Sequence, residues 1–270
     1  MNQQPVPPKQ FNKLVESNSN ISYAINTLIA EYDIQRCHPT CMYFLKGKEF
    51  YDQLISMPKY DSNVLIGKMM KEDPTLSEKI GKLKLKFFND FCKINNIKDS
   101  NFISSTVDSM LLVNKKPMKT KLENGIVNFR NKDGEFTSYI RLSNNRIIEI
   151  LFDGMSNNLR IKGINADFVE NNNTFIRLFK QYLILLENSN KMTNSELLRK
   201  LNHLRNKYIN SKDPMMWASI LDGNKYVYIM AGERVLSDEF MQESQQNILV
   251  KTDNYVTFIL PLVKLCFKPH

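Results

Sequence analysis

At residue 125 the spacing of apolar residues changes from three and four to two, and only a chain built from both helices and strands can satisfy that change. Upstream, Leu76, Ile80, Leu83, Phe87, Phe91 and Ile94 recur at helical spacing. Pro74 follows Asp73, and Thr75 with Glu78 matches a capping box, so a helix is predicted to start there. Its other face carries Lys79, Lys82, Lys86 and Lys93, with Lys84 nearby. Downstream, four runs alternate in the manner of half-buried strands: 125–131, 136–143, 146–152 and 158–164.

The connections between these runs have turn chemistry. Asp133-Gly134 and Asn144-Asn145 suit tight hairpins, and 153–157 suits a short loop, which together predict a four-strand antiparallel meander. A helix with Phe175, Phe179, Tyr182, Leu183 and Leu186 on its buried stripe follows. Thr193 and Glu196 form a second capping-box pattern ahead of Leu197, Leu201, Leu204 and Tyr208. The last sixty residues read as further strands at 225–231, 248–252, 255–260 and 262–267, with a polar stretch from 233 to 246. Residues 11–34 read as one or two helices. The expectation is therefore an α+β fold, with a mainly helical region over 1–120 and an α+β sheet domain over 121–270, or one continuous domain.

Composition bounds the class. A chain of 270 residues can bury its own core, and 42% hydrophobic with 24% charged residues is ordinary for a globular protein. No apolar run approaches the length of a membrane span, and residues 1–10 match neither a signal peptide nor a transit peptide, reading instead as a short flexible arm. Cys37, Cys41, Cys92 and Cys266 are too sparse for a disulfide framework, which fits reduced thiols in cytoplasm or nucleus. Lys and Arg number 37 against 28 Asp and Glu, a net charge of +9 that favours polyanionic partners. Scarce alanine with abundant Asn, Lys and Ile fits an AT-rich genome: a virus, a parasite or an AT-rich bacterium.

Catalytic constellations are incomplete. Cys37-His38-Pro39-Thr40-Cys41 holds two or three zinc-type ligands, short of the four a structural site needs, so no metal is expected there. Three histidines, none beside a glycine-rich nucleophile turn, leave no triad. Neither phosphate-binding glycine motif occurs, so no nucleotide cofactor is expected. Asp133, Glu135, Glu149 and Asp153 are the carboxylates a divergent metal-dependent nuclease would use, and no lysine stands at a matching spacing. The chain reads as a non-enzyme.

Strand alternation sorts the meander by face. Phe136, Ser138, Ile140 and Leu142 point one way, with Tyr139 and Arg141 on the other; Leu159 and Ile161 oppose Arg160 and Lys162. With a helix on the apolar face, Tyr139, Arg141, Arg160 and Lys162 would be displayed on an open face, joined by Arg130 and Arg146. Cations for phosphates and a ring for bases make a nucleic-acid platform. Arg199, Lys200, Arg205 and Lys207 on the later helix would extend it.

The segments FTSYIRLS at 136–143, RIIEILF at 146–152 and NLRIKGI at 158–164, with the amphipathic helix after them, resemble one half-repeat of the TATA-box-binding-protein fold, particularly its versions in large DNA viruses. The shared pattern is paired strands, a strand ending in glycine and a helix packed behind. The resemblance implies DNA contact through the sheet face, carried by Tyr139, Arg141, Arg160 and Lys162. The resulting expectation is a non-enzymatic nucleic-acid-binding protein, a transcription or replication factor, with DNA favoured over RNA and no membrane partner. The alternative is a viral structural or host-interaction protein that self-assembles through its C-terminal strands.

Overall fold

The computed structural model describes residues 6–143, 147–163, 170, 173–210, 219–221, 225–230, 233–237 and 259–267. The chain forms two compact units, Met1–Asn20 with Leu28–Glu135, and Ile21–Thr27 with Phe136–His270. Helices and an antiparallel sheet occur together, so the fold is α+β.

The first unit contains most of strand β1 (Tyr23–Ile34), helices α1 (Cys37–Lys46), α2 (Lys48–Ser56), α3 (Lys59–Glu72) and α4 (Pro74–Asn95), and strands β2 (Phe102–Ser105), β3 (Ser109–Val113) and β4 (Lys121–Leu122). The start of β5 (Val127–Ser143) completes it. Strand β3 lies between β2 and β1, antiparallel to both. Ala30, Tyr32 and Ile34 of β1 and Met110 and Leu112 of β3 form a core with Ile80, Phe87, Phe88, Phe91 and Cys92 of α4. Phe91 and Phe129 stack with ring centroids 4.0 Å apart.

Helix α4 begins where the sequence places it, but with a different cap. Asp73 Oδ1 accepts from the Thr75 backbone N–H at 2.9 Å and from its hydroxyl at 2.6 Å, Pro74 occupies the first turn, and Glu78 pairs with Lys82 instead of closing a capping box. The helix also rolls relative to the expected stripe. Lys84 is 2% exposed, four residues from both Ile80 and Phe88, while Ile94 is 45% exposed.

Residues 23–34 form a strand where helix was expected. Ile29 through Tyr32 are all buried, and a strand covered on both faces loses the alternation that would distinguish it from a helix. Asp133-Gly134 makes no hairpin: Gly134 takes a φ of 85° inside the 17-residue β5, which joins two of the expected strands into one. The chain from Lys9 onward is anchored. Lys9 donates from its backbone to Ile97 at 2.6 Å, its ammonium pairs with Glu16 and Asp99, and Phe11 is buried.

The second unit pairs the end of β5 with β6 (Ile147–Asp153) and β6 with β7 (Asn158–Lys162), all antiparallel. Ile140 and Leu142, Ile148, Ile150 and Phe152, and Leu159 and Ile161 present one apolar face. Helices α5 (Asn173–Asn188) and α6 (Asn194–Ile209) close over it with Phe179, Tyr182, Leu183, Leu186, Leu197, Leu201, Leu204 and Tyr208. A separate three-stranded sheet consists of β8 (Ser219–Leu221), β9 (Lys225–Met230) and β10 (Glu233–Ser237); β10 falls in the stretch expected to be a polar break.

The final run is helix α7 (Leu260–Cys266), not a strand. Pro261 suits a first helical turn, and Leu262, Leu265 and Cys266 bury themselves in the same core at spacings of three and four. That run is therefore not an exposed strand available for self-assembly. The expected strands at 248–252 and 255–258, and the Asn144-Asn145 turn, lie outside the described residues.

Candidate nucleic-acid interface

Strand register places Tyr139 and Arg141 opposite Leu151 and Glu149, and these opposite Arg160 and Lys162, so the four expected residues do share a face. That face is not an open platform at Tyr139. The ring is 0% exposed, and no base can stack on it. Its hydroxyl donates to Glu149 Oε1 at 2.8 Å and accepts from Arg141 Nε at 3.0 Å, while Arg141 Nη2 lies 3.7 Å from the same carboxylate. Burial first, and the neighbouring Glu149 charge second, push the phenol well above its ordinary range. One carboxylate, Glu149, engages both the Tyr139 hydroxyl and the Arg141 guanidinium.

Arg160 and Lys162 are half-exposed and have interactions of their own. In the first unit, Arg130 is exposed but committed, its Nε donating to Asp33 Oδ1 at 2.9 Å and its Nη2 to Asp33 Oδ2 at 3.3 Å. Arg146 lies outside the described residues. On α4, Lys82 pairs with Glu78 and Lys86 with both Asp90 and Glu123, while Lys79 and Lys93 are exposed and make no ion pair among the described residues.

Helix α6 differs. Its start is fixed by a reciprocal capping box: the Glu196 backbone N–H donates to Thr193 Oγ1 at 3.3 Å, and Glu196 Oε2 accepts from the Thr193 backbone N–H at 3.0 Å. Bonds from Thr193 lower the Glu196 carboxyl, with Lys200 and Arg199 contributing only through space. Leu197, Leu201, Leu204 and Tyr208 turn inward, leaving Arg199, Lys200, His203, Arg205 and Lys207 exposed. Among the described residues, Arg199, Lys200, Arg205 and Lys207 make no ion pair and no side-chain hydrogen bond. Lys200, His203 and Lys207, at i, i+3 and i+7, run along one flank with Arg199 beside them.

This flank borders a groove of about 440 Å³ between α5 and α6. Leu185 and Leu204 are buried at its base and Ile184 is 57% exposed on its wall. Gln181, Arg199, Lys200 and His203 edge it. The sequence names the α6 cations but not the groove. Its signal was Ile184, an apolar residue one position off the buried stripe of α5.

No group of three or more metal-ligating side chains converges among the described residues. Glu149 is held by Tyr139, Glu135 by Lys116, and Asp153 by Ser156 and the Met155 backbone. All four cysteines are free and buried. A hydrogen bond with Cys37, then burial, raises the Cys41 thiol, and His38 Nε2 accepts from Lys84 Nζ at 3.2 Å. Those groups face a buried lysine, which opposes cation binding.

Fold and surface together define a basic α+β protein in which unpaired cations of α6 stand beside an apolar groove. Over residues 7–268 the chain matches the family described as Bacteriophage PBS1 gene 130 protein, and it belongs to that family. No curated protein matches it. Of the three sources expected from composition, the viral one stands, and a bacterial host has no nucleus, so the nuclear half of the expected localisation falls. No helix among the described residues is long and apolar enough to cross a membrane.

Proposed function

We propose that this phage protein is a non-catalytic nucleic-acid-binding protein, working in transcription or replication in the host cytoplasm, with DNA as its partner. The observation that carries this reading is the set of cations on α6 without carboxylate partners, in a chain of net charge +9. Unpaired surface cations keep their field for a polyanion, whereas Lys82, Lys86 and Arg130, each beside a carboxylate, have spent most of theirs. The likeness of residues 136–186 to a TATA-binding half-repeat supports the same class of partner. The burial of Tyr139 leaves the sheet face without a ring for stacking, which supports a contact surface on the helix.

A mobility-shift series tests this. The wild-type protein binds duplex or single-stranded DNA at low salt, and Arg199→Glu with Lys200→Glu and Lys207→Glu weakens binding at least about tenfold while circular dichroism is unchanged. Absence of binding at low salt, together with concentration-dependent oligomers in sedimentation, would replace this reading with the self-assembly alternative.

A further inference from the structure

The geometry points to single-stranded nucleic acid as the ligand of α6, with an unstacked base seated in the α5–α6 groove; this rests on the nucleic-acid reading above. A purely electrostatic surface needs only charge, but here the charge borders a cavity with an apolar base. Its volume, about 440 Å³, falls in the range of roughly 300–1,000 Å³ in which protein pockets take small organic groups.

The lining matches what a nucleobase offers. Leu185, Leu204 and Ile184 supply apolar surface for its faces. His203 and Arg199 are the planar groups at the edge, and imidazole and guanidinium planes are both used to stack unpaired bases. Gln181 is half-exposed at the rim, and among the described residues its carboxamide has no hydrogen-bond partner, leaving a donor and an acceptor for a base edge. Lys200 and Lys207 lie seven residues apart on the same flank, about 10 Å along the helix, so the backbone on either side of the seated base meets a cation.

Duplex DNA does not fit this arrangement without cost. Its bases are stacked and paired, and bringing one into a groove between two helices requires extruding it, a cost smallest where the strand is already single. The charge complementarity therefore selects a polyanion, and the apolar base selects a single-stranded one.

The test is fluorescence anisotropy with labelled dT20 and a duplex of equal length, in the full-length protein at matched salt. Wild type binds the single strand at least about tenfold more tightly, the worth of one stacked base. Ile184→Ala with Gln181→Ala, both on α5 and off the basic flank of α6, removes that preference and leaves duplex affinity and salt dependence unchanged. Equal affinity for the two forms, or a preference that the double variant keeps, overturns the groove assignment while the nucleic-acid reading stands. Failure to bind either form defeats both. Binding of an acidic amphipathic peptide that the same double variant abolishes, with strand binding intact, also overturns the assignment and gives the groove to a protein partner.

Discussion

Tyr139 and Glu149 are joined across β5 and β6 by a 2.8 Å hydrogen bond that turns a candidate base-stacking ring into a buried structural group. Glu149→Ala leaves the Tyr139 hydroxyl and the Arg141 guanidinium without their shared acceptor in a site where both ion-pair partners are under a fifth exposed. The expected loss is about 1–3 kcal/mol, and Tyr139→Phe costs less, about 0.5–1.5 kcal/mol. Urea denaturation measures both; a Glu149→Ala protein as stable as wild type would show that the carboxylate does not hold this face closed.

His38 gives the first unit a pH dependence. Burial first, and the Lys84 ammonium second, lower the His38 pKa, with Asp108 opposing. The folded form thus binds a proton less readily than the unfolded chain, so stability is complete above the ordinary histidine value of about 6.5 and falls as the pH drops below it. His38→Gln retains an acceptor for Lys84 and has no such titration. The denaturation midpoint of wild type falls more than that of the variant between pH 7 and pH 5; parallel profiles would count against the assignment.

Lys84 occupies an apolar stripe position with an imidazole as its hydrogen-bond partner. Replacing a buried charge by an apolar side chain of similar length is often neutral or stabilising. Lys84→Met is expected to be at least as stable as wild type by thermal denaturation, and a large loss would mean that the ammonium has a structural role beyond His38.

The capping box of α6 sets the start of the candidate interface. Thr193→Ala removes the acceptor for the Glu196 backbone N–H and costs about 0.5–2 kcal/mol, while Thr193→Ser retains it. The same measurement on the two variants separates loss of the cap from loss of the methyl group.

Local chemistry was the most legible part of the sequence. Thr193 with Glu196 marked a helix start that the structure reproduces atom for atom, and the alternation at 146–152 and 158–164 placed β6 and β7 within two residues. What depended on burial was less visible. Ile29 to Tyr32 is buried throughout, Glu31 included, so no alternation marks it as a strand, and the helical spacing of Leu262, Leu265 and Cys266 spans too few residues to read without their packing. For the site, alternation correctly grouped Tyr139, Arg141, Arg160 and Lys162 on one face, but whether a face is covered is a tertiary fact. Glu78 and Lys82 are spaced as a helical i,i+4 pair, but nothing along the chain says that Lys86 meets Glu123 while Lys200, spaced the same way from Glu196, makes no ion pair among the described residues.

The most direct test of the account is the salt dependence of DNA affinity, wild type against Arg199→Glu with Lys200→Glu and Lys207→Glu, with Arg130→Ala as a control already paired in the fold. Each phosphate contact contributes a slope of about 0.9 on duplex and about 0.7 on a single strand in a plot of log affinity against log salt. A steep slope is expected for wild type and for Arg130→Ala, and in the triple variant a slope lower by about 3 on duplex and about 2 on a single strand. A triple variant that binds with wild-type affinity and wild-type slope would contradict the account.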